Sequence, residues 1–365
     1  MEKKLTYITY QTFPAKTANS IQTISTIKHL TRAGLDTTLI YPLRNQESSD
    51  DLLQLKNHYK FEDNIKLIGT IHPLPFKKIN FFEKYWYLIS HFLWSYFTVR
   101  KFYSSKQEFY FTRSEWVFYF LSKKNANVMY ECHQISKLKK ILVNSALRNK
   151  SSRVLALTDN IRNALEKNED DRIKTLGSAF DEDYFFSNTE KKNHIVYAGS
   201  LYRFGQSRGI EILFESSLNL EIEDLKLIII SSDEDEIQSF KQAIKNTNLN
   251  FDLQIYEKLN QRQVGEILSS AKVGLLINNT SQHANLYSSP LKYFEYLASG
   301  LNVVATDLLS HRNLPFSNNI NFYTANDFNS LQSAILNAFK ENENVTLSID
   351  NFSMGKRISK IIDFF

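Results

Sequence analysis

Ser288-Ser289-Pro290-Leu291-Lys292-Tyr293-Phe294-Glu295-Tyr296-Leu297-Ala298-Ser299-Gly300, continued by Leu301-Asn302-Val303-Val304-Ala305-Thr306, contains a complete helix-to-strand step. Two serines and a proline mark a helix start, with Pro290 at the first helical position. Gly300 reads as the C-cap, and the apolar run after it reads as a buried strand. A helix N-terminus presents free backbone N–H groups and a partial positive charge, which suits an anion such as a diphosphate. Lys292 adds a full charge there. Glu295, one turn further on, is placed to accept hydrogen bonds from ribose hydroxyls. Read alone, the segment is equally a capped core helix with a surface glutamate.

The same alternation extends in both directions. Strand-like runs occur at His194–Ala198, Leu227–Ile230, Leu253–Tyr256, Val273–Ile277, Asn302–Ala305 and Asn321–Tyr323, with helical stretches between them, one expected from about Gly209. Before them, Ser187–Asn193 is polar and without periodicity, and reads as a linker. The first half begins with a strand (Leu5–Tyr10), a loop through Pro14, a helix carrying Ile21, Ile24, Ile27 and Leu30 up to Gly34, and a strand (Thr37–Tyr41). That is a βαβ unit, and βαβ units build parallel sheets. Phe109–Phe111, Asn127–Glu131 and Arg153–Leu157 repeat the pattern.

The chain has 365 residues, more than one core usually serves, so two domains are expected. A net charge of +5 is too mild to imply nucleic acid without a concentrated patch. The single cysteine, Cys132, forms no internal disulfide, and no Cys/His spacing reads as a zinc site. The expected compartment is the reducing cytoplasm. No run reaches the length of a membrane span; the longest candidate, Tyr85–Phe97, is broken by Ser90, His91 and Ser95.

Ser-Pro-Leu-Lys-Tyr-Phe-Glu-Tyr-Leu-Ala-Ser-Gly at 289–300 resembles the nucleotide-binding signature of glycosyltransferase family 4, the large retaining group with the GT-B fold. The resemblance implies that Glu295 binds the donor ribose. Ser289, Leu291 and Lys292 accompany it around the diphosphate. Tyr287 stands where the family often has an acidic residue that contacts the donor sugar, which leaves that contact unassigned. Val196-Tyr197-Ala198-Gly199-Ser200-Leu201 followed by Arg208-Gly209-Ile210-Glu211 resembles the family's glycine loop and its diphosphate-binding basic residue. Gly199 and Ser200 are then donor-binding and Arg208 catalytic. Ser200 occupies the site of a frequent second arginine, for which Arg203 is the nearby candidate. Without the resemblance, Arg208 is a solvated helix-start residue or a phosphate ligand.

In the first half, Tyr110–Ser114 and Val128–His133 resemble the family's strand ends facing the cleft, and the Phe13–Ser20 loop resembles its N-terminal loop. These imply that His133 contacts the transferred sugar, and that Pro14, Asn19 and Arg113 form an acceptor or phosphate loop. A lone histidine at a strand end, taken without the resemblance, is more often structural than catalytic.

Asp181-Glu182-Asp183 and Asp233-Glu234-Asp235 have the spacing of acidic metal-binding pairs but read as solvated loops, so no metal is expected. No paired-carboxylate glycosidase signature or Walker-type loop occurs. No cofactor is expected beyond a nucleotide-sugar that serves as substrate. Residues 76–103 crowd Phe81, Phe82, Tyr85, Trp86, Trp94, Tyr96 and Phe97 between basic residues, and 133–158 contain no acid. The plain reading is a buried helix with a solvated basic face; the other is a surface for anionic lipid or a lipid-linked acceptor.

The expected fold is α/β, GT-B, two Rossmann-like doubly wound domains facing a central cleft. The expected boundaries are 1–187 on the acceptor side, 194–345 for the nucleotide-sugar, and 346–365 as a helix crossing back. The expected activity is retaining transfer from a nucleoside-diphosphate sugar to a hydroxyl acceptor, a sugar or lipid-linked one, in bacterial surface polysaccharide or glycolipid assembly. An anionic membrane surface is a further expected partner, with peripheral attachment on the inner face of the cytoplasmic membrane. The alternatives are a nucleotide-sugar 2-epimerase of the same fold and a catalytically degenerate sugar-nucleotide-binding protein.

Overall fold

The computed structural model describes residues 3–15, 17–44, 48–72, 83–105, 108–166, 169–187, 190–203, 206–214, 220–245, 247, 251–287, 290–340 and 348–365. The chain forms two compact units, Met1–Gly177 with Arg357–Phe365, and Ser178–Lys356.

In the first unit the order is β1 (Lys4–Ile8), α1 (Ala18–Arg32), β2 (Asp36–Leu43), α2 (Leu52–Tyr59), β3 (Lys66–Ile71), α3 (Glu83–Phe102), β4 (Phe109–Thr112), α4 (Glu115–Lys123), β5 (Asn127–Cys132), α5 (Lys137–Ala146), β6 (Ser152–Ala156), α6 (Asp159–Leu165) and β7 (Ile173–Thr175). All pairings are parallel, in the order β3-β2-β1-β4-β5-β6-β7. Leu5 lies level with Thr37 on one side and Phe109 on the other. Strand order therefore reverses between β1 and β4, and beyond the carboxyl ends of these strands lies the crevice where such sheets take ligands. Leu5 to Ile8, Leu39 to Tyr41 and Val128 to Cys132 are buried without alternation, as a sheet covered on both faces requires.

The second unit runs β8 (Lys192–Ala198), a small antiparallel hairpin of β9 (Tyr202–Arg203) and β10 (Gln206–Ser207), β11 (Lys226–Ser231), α7 (Glu234–Ala243), β12 (Asp252–Glu257), α8 (Gln261–Ser270), β13 (Ala271–Leu276), α9 (Gln282–Tyr287), α10 (Leu291–Ala298), β14 (Asn302–Thr306), α11 (Leu309–Arg312), β15 (Ile320–Tyr323) and α12 (Phe328–Lys340). The final helix, α13 (Met354–Phe364), has its residues from Arg357 onward in the first unit. The parallel sheet has the order β12-β11-β8-β13-β14-β15, reversing between β8 and β13. Ile195, Tyr197, Ile229, Val273 and Val304 enter one apolar cluster, and Val196, Ala198, Ile228, Val303 and Ala305 enter another. This alternation means that the sheet is packed on both faces. Each such buried side chain contributes ~1.5–3 kcal/mol.

Several expectations are corrected. Pro290 is the N-cap of α10 and not its first helical residue, and no side chain among the described residues caps it. The helix expected from Gly209 is a 3-10 turn, Ile210–Phe214, within the described residues. The acidic pairs are exposed except for Asp181, as expected of solvated residues, but both also hold helix starts. Asp181 is buried, and Glu182 accepts the backbone N–H groups of Met354 and Gly355, both at 2.9 Å, at the start of α13. Asp233 is the N-cap of α7, accepting from Glu236 N at 3.1 Å. In the polar stretch before β8, Lys191 donates to Ser269 O at the end of α8 (2.8 Å) and to Ser299 O at the end of α10. Lys191 thus caps the C-terminal ends of two helices, and Asn188 and Thr189 lie outside the described residues. Sequence reading also passes over β3 and β7. Among the described residues, no helix is long and apolar enough to cross a membrane.

Candidate active site

In the second unit, the strand-order reversal brings Gly199, at the end of β8, beside the residues after β13. Gly199 N donates to Ile230 O at 2.9 Å. A Cβ there would meet nothing nearer than Tyr197 Oη at 3.6 Å, so packing within the unit does not demand a glycine. Ser200 is exposed, and its carbonyl accepts the Tyr197 hydroxyl at 2.6 Å. After the hairpin, Arg208 N donates to Leu201 O at 2.9 Å, which returns the chain to the glycine loop. Gly209, at φ +88°, makes the turn that follows.

The Arg208 side chain is half-buried, and its Nη1 donates to Asn278 Oδ1 at 2.8 Å. Asn278 lies 3.4 Å, through Nδ2, from His311 Nε2, and His311 Nδ1 lies 2.8 Å from Thr306 O. Donor logic fixes the tautomer. A carbonyl can only accept, so Nδ1 carries the proton and Nε2 is left to accept from Asn278. His311 is fully buried, and burial, together with the charge of Arg208, holds its pKa below the usual value despite the Thr306 bond. It is therefore a neutral prop: Thr306 orients His311, His311 orients Asn278, and Asn278 orients the guanidinium. Neither Asn278 nor His311 belongs to a motif in the sequence, because the partners lie on separate elements: Asn278 follows β13 and His311 is on α11.

Helix α10 is fixed by Tyr296. Its hydroxyl accepts from Ala198 N at 2.9 Å and donates to Leu275 O at 3.3 Å, linking the two central strands. Its ring lies over Gly274, where a Cβ would come within 2.6 Å of it. At the other end of α10, Lys292 Nζ donates to Glu295 Oε2 at 2.5 Å. Glu295 is buried, at 2% exposure, whereas the Lys292 side chain is one-third exposed. Leu291 is the first helical residue. Ser289 and the side chains of Tyr287 and Arg203 lie outside the described residues.

In the first unit, Pro14, Asn19, Arg113 and His133 all follow the carboxyl ends of β1, β4 and β5. Arg113 is 6% exposed and reaches Asn19 O, Asn19 Oδ1, Gln22 Oε1 and Thr23 Oγ1, each at 3.3 Å. It thus braces the start of α1. Pro14 follows Phe13 through a cis peptide bond, and Ala15 is held through both N and O by the Tyr59 hydroxyl, at 2.7 and 2.8 Å.

His133 Nε2 contacts Glu131 Oε1, and Arg113 Nη2 lies 2.6 Å from Nε2 and 3.0 Å from Nδ1. Burial, then Arg113, pushes the His133 pKa down to about 4, against the pull of Glu131. Glu131 is itself buried. Burial raises its pKa, but Arg357 at 3.2 Å, His133 and Arg113 more than offset this and hold it ionised. Arg357, on α13, was not visible as a partner in the sequence.

No protein-family model matches the chain, and no curated protein does. Solved structures do match. Sucrose-phosphate synthase from Thermosynechococcus elongatus superposes with a TM-score of 0.65 at 15% identity, covering 99% of this chain and 94% of that one. TarM gives a TM-score of 0.68 at 13% identity, covering 100% and 99%. WaaG, a glycosyltransferase involved in lipopolysaccharide biosynthesis, gives 0.60 at 13% identity, covering 98% and 95%. The fold is GT-B. At these identities the likeness establishes the architecture and leaves the chemistry to the site residues.

Proposed function

We propose that the chain is a retaining glycosyltransferase that moves a sugar from a nucleoside-diphosphate sugar to a hydroxyl acceptor in surface polysaccharide or glycolipid assembly. The observation that carries this reading is the propped Arg208 guanidinium. It is held at the strand-order reversal beside the sterically unrequired Gly199, in a unit where α10 starts at Pro290, a residue with no side-chain cap to offer. Gly199 leaves room for a diphosphate to approach the backbone, and Arg208, Lys292 and the α10 N–H groups supply positive charge for it. Glu295, steadied by Lys292, binds the ribose.

In the reaction the bond from the anomeric carbon to the β-phosphate oxygen breaks, leaving its electron pair on the diphosphate. The acceptor oxygen bonds to that carbon on the same face, and its proton is released. Charge grows on the departing phosphate, so cations fixed beforehand lower the barrier. The cations stand in for a metal, and the reaction proceeds without one. His133, held neutral, contacts the transferred sugar. The enzyme works in the cytoplasm.

The test is a thermal-shift screen of nucleotide sugars, followed by incubation of the stabilising donor with and without sugar and lipid-linked acceptors, in EDTA. The expected result is an acceptor-dependent product whose anomeric configuration matches the donor by NMR. Donor turnover without acceptor would identify an epimerase. Binding with no turnover would identify a degenerate binding protein.

A further inference from the structure

Helix α3 buries polar residues beside Trp94 and Val99 and leaves an aromatic stripe outside. Its buried residues include Ser90, His91, Ser95 and Thr98, while Tyr85, Ile89, Phe92, Tyr96 and Phe97 are 66%, 50%, 37%, 40% and 52% exposed. Four of these recur at i, i+4, i+7 and i+11 and form one stripe. The inward polarity has a local cause. His91 stacks on Tyr10 at 4.3 Å and 12°, and its Nε2 meets Ser114 Oγ at 2.7 Å. Trp94 Nε1 donates to Thr70 Oγ1 at 2.8 Å. Nothing of that kind accounts for the outward face.

The stripe continues onto neighbouring helices. Phe92 meets Trp116 edge-on at 4.9 Å, and Tyr96 meets Phe120 at 5.5 Å, both on α4. Helix α5, which packs on α4, adds Ile141 at 65% exposure and Leu138 at 37%. A single exposed hydrophobic residue is ordinary, but a contiguous patch across three helices marks a binding surface. Around it the exposed charges are Arg100, Lys101, Lys123, Lys124, Lys137 and Arg148. Among the described side chains of α3, α4 and α5 the acid is Glu115, which is buried.

We propose that the outer faces of α3, α4 and α5 form a docking surface for an anionic lipid bilayer. Charge selects the occupant. A second copy related by two-fold symmetry would set these cations against their own equivalents. An anionic headgroup layer neutralises them, while tyrosine, tryptophan and phenylalanine rings suit the headgroup boundary. The attachment is peripheral, and it stands apart from the sugar-transfer reading because its test reads binding and not turnover.

The experiment is flotation of the full chain with phosphatidylcholine vesicles, with and without phosphatidylglycerol, at about 0.05 M and about 0.5 M salt. Binding is expected to the anionic vesicles at low salt, weaker at high salt, and little or none to the neutral ones. Lys101→Glu with Lys137→Glu, both exposed, should weaken binding roughly tenfold or more. Ile89→Ser with Phe97→Ser should do the same, and both pairs touch exposed side chains that the fold does not need. Lys360→Glu, on an exposed face of α13, should leave binding unchanged. Failure to bind anionic vesicles at low salt, or binding indifferent to both pairs, overturns the proposal. So does a concentration-dependent dimer in sedimentation that Ile89→Ser with Phe97→Ser dissolves, because the face would then belong to a second copy.

Discussion

Arg208 is worth no more to the proposed chemistry than its orientation allows. Arg208→Ala should lower kcat by about 100–1,000-fold and raise the donor KM less, since its partner gains charge in the transition state. Asn278→Ala keeps the guanidinium but removes the oxygen that aims it, and should lower kcat by about tenfold. Steady-state kinetics separates the two, and equal kcat in Arg208→Ala and the parent would remove this residue from the reaction. For Glu295, glutamine is the informative replacement, because it keeps the buried volume beside Tyr296. Glu295→Gln should weaken donor binding by ~1.5–3 kcal/mol, read by titration calorimetry. Unchanged affinity would leave Glu295 as the structural partner of Lys292.

At the scale of elements, two glycines set how closely helices meet the second sheet and its flanking loop. Gly274 receives the Tyr296 ring. In α8, a Cβ on Gly265 would fall 1.9 Å from the carbonyl oxygen of Tyr184. Backbone cannot rotate away as a side chain can, so Gly265→Ala should destabilise the protein by ~1–3 kcal/mol, measured as a lower urea midpoint, even though alanine is the better helix former. An unchanged midpoint would mean that the 181–187 segment moves aside freely. The helix from Leu291 to Gly300 and the turn at Gly199 are legible in the sequence because each depends on near neighbours: a start signal, a stop signal, a run of apolar residues. The relay from Thr306 through His311 to Arg208 is not, because Arg208, Asn278 and the Thr306–His311 pair lie 28–103 residues from one another and touch only once the sheet has formed. Helix α3 fails for another reason. Periodicity shows that a helix has two faces, and aromatic content normally assigns the inner one, but here Tyr10, Thr70 and Ser114 take the polar side. Strand β3 escapes because its residues are only partly buried and Gly69 interrupts its apolar run.

The molecule as a whole carries a pH dependence, and the first unit's share of it can be read by itself. Burial, then Arg44, pushes the His91 pKa down to about 3, and burial, then Arg113, takes His133 to about 4, against about 6.5 for an unfolded chain. Between those limits the unfolded chain binds protons that the folded unit refuses. Stability is then unaffected above about pH 6.5 and falls as pH drops below it, by up to about 1.4 kcal/mol per pH unit for each group. All three tryptophans, Trp86, Trp94 and Trp116, lie in this unit, so their fluorescence follows it alone. The urea midpoint by fluorescence should be lower at pH 5.0 than at pH 7.5, and His91→Gln should flatten the difference; equal midpoints in the parent would contradict this assignment.

Glu131 and Arg357 are 226 positions apart in the chain and share one buried ion pair. During synthesis the segments around β1 to β7 leave the ribosome long before Arg357 exists. Until then the nascent first half holds a buried carboxylate short of one of its counter-charges, and a broken buried pair costs ~3–5 kcal/mol. Residues 178–356 are all made before Arg357. The first unit therefore completes its buried charge balance only after every residue of the second has been made.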